Sequence, residues 1–194
     1  MRFREMPSHE TLNALLQYDP ETGSLYWKHR TEEWFPSGGR FRVAVLCAQW
    51  NSKYAGKEAF TSKNLKGYKI GAVLGQGLLA HRVIWKMEHG SEPADQIDHI
   101  NGNPSDNRLC NLREATAAEN AQNRKRAKIN TSGAVGVVAE GGGWRAQIKV
   151  GGRSTRLGLF KTKGEAERAY ASAKKVKHLF QPVARERAEE RGAA

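Results

Sequence analysis

The chain has 194 residues, 39% hydrophobic and 27% charged, and no stretch approaches the roughly 20 apolar residues of a membrane span or the apolar region of a signal peptide, so a soluble cytoplasmic protein of one or two domains is expected. Two cysteines, Cys47 and Cys110, exclude a four-thiolate zinc site and a secreted disulfide framework and read as a buried pair of free thiols. Lys and Arg number 32 against 20 Asp and Glu, and the excess lies beyond residue 120, where 17 basic side chains face 6 acidic ones: the footprint of a polyanion, nucleic acid before anionic membrane, or else only a well-solvated surface.

In chain order, residues 9–18 carry a short helical pattern with Leu12, Leu15 and Leu16 on one side. DPETG at 19–23 is a turn and SLYWK a strand, followed by an irregular, Gly-rich stretch from Arg30 to Gln49 that reads as an extended loop. YKIGAVL (68–74), the GQG turn and LLAH (78–81) suggest a hairpin, and RVIWKMEHG (82–90) a short helix closed by Gly90. QIDHI (96–100) is a short strand ending in the turn NGN, PSDNRLC a polar loop, and NLREA (111–115) a second strand. Thr116 and Glu119 form a capping box that opens a helix through AAENAQNRKRAK, which completes a ββα unit. After a linker over 125–133, VGVVAE, WRAQIKV and TRLGLF are three short strands, and a second capping box, Thr162 with Glu165, opens a helix with Ala166, Ala169, Tyr170, Ala173 and Val176 on one face. The tail 181–194 is basic and charged.

The ββα unit carries the chemistry. His99 is the natural general base near neutral pH. Asp98 beside it and Asn120 in the helix's first turn offer oxygens suited to a hard divalent cation. Asn111, at the start of the second strand, is placed to fix one tautomer of His99. Asn101, Asn103 and Asp106 read as turn residues, and His81 as a packing or phosphate-contacting histidine rather than a catalytic one. On the strand WRAQIKV, alternation turns Trp144, Ala146, Ile148 and Val150 toward the helix and leaves Arg145, Gln147 and Lys149 on the outer face with Arg156 of the next strand. Such a face can enter a major groove, where Arg and Lys read guanine and Gln reads adenine.

The stretch IDHINGNPSDNRLCNLREATAAENAQNR resembles the core motif of HNH homing endonucleases of the zinc-free kind found in bacteriophages, and the resemblance extends over residues 9–126. It implies His99 and Asn111 as catalytic residues, the second orienting the first, and Asp98 with Asn120 holding one ion, Mg²⁺ first and Mn²⁺ as the alternative, with no zinc; Asn123 is a fallback ligand. The third motif position is Asn, where many HNH enzymes carry His. Residues SGAVGVVAEGGGWRAQIKVGGRSTRLGLFKTKGEAERAYASAKK resemble the three-stranded DNA-binding domain of plant ethylene-response factors, of the APETALA-two type, although the family's usual Arg before Gly-Val is Val135 here. Arg124, Lys125, Arg126, Arg145, Gln147, Lys149, Arg153 and Arg156 are then the expected DNA contacts.

The expected fold class is α+β: a ββα-metal nuclease unit with an N-terminal β-rich segment over 1–126 (motif 96–126), a small three-stranded antiparallel sheet with one covering helix over 131–180, and the tail. The expected function is a metal-dependent endonuclease on double-stranded DNA, nicking or cutting both strands, as monomer or dimer. The alternative is a DNA-binding transcriptional regulator with an inactive nuclease fold.

Overall fold

A computed structural model describes residues 6–39, 41–122 and 132–180, and joins helices to small antiparallel sheets in an α+β fold. The chain divides into two units, Met1–Glu114 and Ala115–Ala194. Among the described residues no helix is long and apolar enough to cross a membrane.

In the first unit, Ser8 caps helix α1 (His9–Leu15) by accepting a hydrogen bond from the Thr11 amide. The sequence predicts this helix to run through 18, but it stops at Leu15. Leu16–Asp19 instead form strand β1, antiparallel to β2 (Ser24–Trp27). The reason lies in the turn between them. Asp19 Oδ1 accepts from the Glu21 amide and Oδ2 from the Thr22 hydroxyl, and Gly23 takes φ +70°, so the DPETG segment closes a hairpin and draws the preceding residues into extended form.

Where an extended loop is predicted over 30–49, the structure places helix α2 (Val43–Tyr54). Its only buried residue is Cys47 and no side chain caps it, so the periodic signal that marks a helix is absent. Strand β3 (Glu58–Ala59) then joins β2, and β4 (Ser62–Lys63), β5 (Lys69–Val73) and β6 (Gln76–Leu79) form a second sheet. Helix α3 (Ala80–His89) begins at Ala80, so His81 is helical and not on the hairpin strand as predicted. It buries Ala80, Val83, Ile84 and Met87 at the i, i+3, i+4, i+7 spacing, and Gly90 ends it at φ +76°. Leu12, Leu15, Leu16, Leu25, Val73, Val83 and Ile84 make the core that these elements share; each such side chain contributes about 1.5–3 kcal/mol by leaving water. Strands β7 (Gln96–His99) and β8 (Leu112–Ala115) form the two-stranded sheet of the motif.

In the second unit, helix α4 (Ala117–Gln122) opens on the predicted capping box: the Glu119 amide donates to Thr116 Oγ1 and the Thr116 amide to Glu119 Oε2. Strands β9 (Val137–Glu140), β10 (Gly143–Val150) and β11 (Arg153–Phe160) make an antiparallel sheet with β10 in the centre, covered by helix α5 (Lys163–Lys177). Val137, Ala146 and Ile148 from the sheet meet Ala166 and Tyr170 from α5. Two predicted inward residues lie outside this core: Val150 and Val176 are exposed. The last turn of α5 buries Lys174 in their stead, its ammonium donating to the Gln122 carbonyl at 2.9 Å. The thiols also differ from expectation, since Cys47 is buried and Cys110 exposed.

Candidate active site

The site begins with a strand end. Ile97, Asp98 and His99 are all buried on β7, although neighbours on an ideal strand point to opposite faces. The two polar side chains leave the strand toward different partners. Asp98 Oδ2 accepts from Nε and Nη2 of Arg113 on β8, at 3.0 and 2.8 Å. His99 Nε2 meets Oδ1 of Asn107 at 3.1 Å. An amide oxygen can only accept, so Nε2 carries the ring proton and the lone pair lies on Nδ1.

Asn107, not Asn111, is therefore the side chain that sets the His99 tautomer. Asn111 has another duty. Its Oδ1 accepts from the Asn101 amide and its Nδ2 donates to the Asp106 carbonyl, both at 2.8 Å, and its own carbonyl accepts from the Ile100 amide at 2.8 Å. These bonds consume the side chain in bracing the loop from 100 to 111, which is the correction to its predicted orienting role. It also ends a 3₁₀ turn immediately before β8 rather than opening the strand. Within the loop, Asn101 and Asp106 bond each other, and Arg108 pairs with Asp106 at 2.7 Å.

The N-terminal hairpin props this loop from outside. Tyr18 on β1 donates to the Asn107 carbonyl at 3.3 Å and accepts from the Leu109 amide at 2.8 Å. A Cβ at Gly23 would stand 2.5 Å from the Arg108 amide nitrogen, so the turn packs directly on the backbone that carries Asn107. Asn107 itself is fully buried.

Rings close the other side. His81 of α3 meets His99 edge to face, centroids 5.1 Å apart, and Tyr68 lies 5.2 Å from His81 and 5.7 Å from His99. Burial, chiefly, holds His99 below the ordinary histidine value of 6.5, against the opposing pull of Asn107, Asp98 and Asp106. Burial also pushes His81 down to about 3, helped by the neighbouring His99 and Arg82. Both imidazoles are thus neutral at neutral pH, the state in which one can take a proton.

Asn120 lies on α4 in the other unit, half-buried, its amide bonded to the Thr116 carbonyl at 2.9 Å. Among the described residues no three His, Cys, Asp or Glu side chains gather as a metal-holding cluster. The oxygens of Asp98 and Asn120 have the chemistry a hard divalent cation takes, with Arg113 as a competitor at Asp98 Oδ2. Asn107, Tyr18, Tyr68, His81 and Arg113 are the members of the site that sequence reasoning assigned no such role. Only the Asp106-Asn107 pair in a polar loop hinted at one of them, and such a pair also serves any turn.

On the C-terminal sheet, Arg145 Nη1 donates to Glu140 Oε1 at 3.0 Å and Arg156 Nη2 lies 3.3 Å from Oε2, so one carboxylate on β9 holds both arginines. Gln147 is half-buried, while Lys149, Arg153 and Arg156 are exposed. Arg124, Lys125, Arg126 and Asn123 lie outside the described residues.

All the residues of the strand–loop–strand site fall in one stretch with a counterpart elsewhere. Residues 78–122 match the HNH endonuclease family. A 76-residue segment is 40% identical to Protein 3.8 of Escherichia phage T7, covering 38% of this chain and 63% of that protein. No solved structure matches.

Proposed function

We propose that this chain is a metal-dependent endonuclease of the HNH type that hydrolyses phosphodiester bonds of double-stranded DNA, with His99 as general base. The observation that carries the reading is a buried, neutral histidine whose Nε2 is held by Asn107, within the segment that matches the HNH family. With its lone pair on Nδ1, His99 takes a proton from the water that attacks phosphorus, and the products carry 5′-phosphate and 3′-hydroxyl ends. A divalent cation, with Asp98 and Asn120 as proposed donors and Mg²⁺ or Mn²⁺ as its identity, would supply charge neutralisation at the scissile phosphate. General base catalysis provides roughly 10²–10⁴-fold, too little for a phosphodiester on its own.

The C-terminal sheet is proposed as the DNA-binding module, resembling the ethylene-response-factor domain. Its support is the basic excess beyond residue 120 and the placement of Arg145, Gln147, Lys149, Arg153 and Arg156 on β10 and β11. The match to the HNH family supports action on DNA and the phage relative a setting inside a host cell, of which a homing role is one form.

A second reading, a DNA-binding protein with an inactive nuclease fold, is favoured by one observation, the Arg113 guanidinium on Asp98 Oδ2. Supercoiled plasmid separates the two. Wild type with Mg²⁺ or Mn²⁺ is expected to yield open circle or linear DNA, whereas His99→Ala, or wild type in EDTA, leaves it supercoiled. Binding without any cleavage, on plasmid and on host genomic DNA alike, would establish the second reading.

A further inference from the structure

Away from the motif, the first unit holds a buried cation that no anion meets among the described residues. Arg30, in the segment after β2, is only 8% exposed. Its guanidinium carbon lies 3.8 Å from the ring centroid of Trp50 on α2 and 5.0 Å from that of Trp27 on β2, and the two indoles meet edge to face at 5.5 Å. Its backbone is pinned as well: the amide donates to Asn51 Oδ1 at 2.9 Å, and the carbonyl accepts from Asn51 Nδ2 at 2.8 Å and Cys47 Sγ at 3.2 Å. Cys47 and Asn51 thus fix the Arg30 backbone against α2, and stacking on Trp27 and Trp50 places the side chain.

No hydrogen bond or ion pair meets its guanidinium among the described residues, and Nε is shut from solvent without a partner. Every other arginine of the first unit that is half-buried in the structure has a carboxylate: Arg82 has Glu92 and Arg113 has Asp98. Carboxylates are near in sequence, yet Glu33 takes the Thr31 hydroxyl and neither Glu32 nor Glu33 pairs with Arg30. Burial alone acts on its pKa, downward, with no anion to oppose it. A guanidinium offers five donors in a fixed fork that matches phosphate, and is weakly enough hydrated to sit against indole faces. The same aromatic cluster carries a second cation, Lys53, its ammonium 5.1 Å from the Tyr54 ring, with Tyr54 5.3 Å from Trp50.

We propose that Arg30, stacked on Trp27 and Trp50, is a preset anion site that receives a backbone phosphate of the bound nucleic acid. It rests on the nucleic-acid substrate proposed above and places a contact at a distance in sequence from both the motif and the C-terminal sheet. Aromatic stacking fixes the fork before the phosphate arrives, so little side-chain freedom is lost on binding.

The test uses the full chain in EDTA, which stops cleavage, and a fluorescent duplex of about 30 base pairs, with anisotropy read between about 50 and 200 mM salt. Arg30→Met keeps an apolar stem against the indoles and removes all the donors. Its affinity at low salt is expected to fall roughly tenfold, as for one charge-assisted contact, and its salt slope to shrink by about 0.9, the share of one phosphate. Its thermal midpoint is expected to hold or rise, because an unpaired buried charge has gone. Unchanged affinity and slope overturn the proposal, and a lowered midpoint beside them makes Arg30 a structural residue only. Should Arg30→Met fail to fold, Arg30→Lys keeps the charge and loses the fork; weaker binding supports the site, and wild-type binding overturns it. Inorganic phosphate and pyrophosphate form the control arm. If they raise the wild-type midpoint but not that of Arg30→Met, while duplex binding is the same for both, the ligand is free phosphate and the nucleic-acid assignment falls. A wild type that does not bind the duplex at all removes the substrate reading together with this one, whereas equal binding by wild type and Arg30→Met removes this one alone.

Discussion

The two units treat their polar side chains in opposite ways. In the first, Asp98, His99, Asn107 and Asn111 are all buried and each is met by another side chain or by loop backbone. In the second, Lys149, Arg153 and Arg156 are exposed on their strands, and the buried polar pair, Lys174 with His178, sits behind the sheet and bonds backbone carbonyls at Gln122 and Lys149. The difference follows from what each group is proposed to do. A base that takes a proton needs one tautomer and one ring orientation, and burial among fixed partners supplies both. A side chain that reaches into a groove needs length and freedom to adapt, which burial would remove.

The sharpest way to break this comparison is His99→Ala. Loss of the base is expected to lower cleavage by roughly 10²–10⁴-fold while duplex binding in EDTA stays unchanged. If cleavage persists at near the wild-type rate, the buried cluster is scaffold and the site lies elsewhere.

Next in size is a stability effect. The native state keeps His81 neutral down to about pH 3, whereas the unfolded chain protonates it near 6.5. Between those values the unfolded state binds the extra proton, so stability is full above 6.5 and is lost as pH falls toward 3. The loss runs at about 1.4 kcal/mol per pH unit for one group. Urea midpoints measured from neutral to acid pH are expected to fall more steeply for wild type than for His81→Phe. Parallel curves would mean that the His81 ring is not held neutral in the core.

Asn107→Ala should come third, with cleavage lowered by about 10–100-fold, the usual cost of losing a group that orients a catalytic ligand. Asn107→Asp, which keeps an oxygen facing Nε2, is expected to recover part of it, and Asn111→Ala to act mainly through stability. If Asn111→Ala lowers the rate in a fully folded protein while Asn107→Ala does not, the tautomer assignment is reversed.

These residues also mark where the sequence was legible. Local devices could be read directly: the capping boxes Thr116–Glu119 and Thr162–Glu165 join residues three apart, α3 is legible from residue 82 to its Gly90 stop although its first turn reads as strand, and alternation places Ala146 and Ile148 inward. Asn107 could not, because its partner is eight residues away across a loop whose other amides are turn-formers. Tyr18 reaches that loop from about ninety positions upstream, and α2 is held by Asn51 on the Arg30 backbone rather than by its own periodicity. In each case the information lies in a tertiary contact between segments that look ordinary alone. Val150 and Val176 fail for the converse reason: the pattern continues past the point where there is an opposing surface to cover it.

The smallest expected effect bears on the second unit. Glu140 holds Arg145 and Arg156 at 3.0 and 3.3 Å, side chains that must turn to DNA if this sheet is the reader. Both pairs are partly exposed, so each contributes only a few tenths to about 1 kcal/mol. Glu140→Gln removes the carboxylate and its competition with phosphate. Duplex affinity is then expected to rise a few-fold, with a steeper salt dependence because two cations are released to the polyanion. The opposite outcome is informative too. If Glu140→Gln weakens binding, the carboxylate is serving to aim the arginines at the groove, and the exposed face of the second unit is preset in the same manner as the buried cluster of the first.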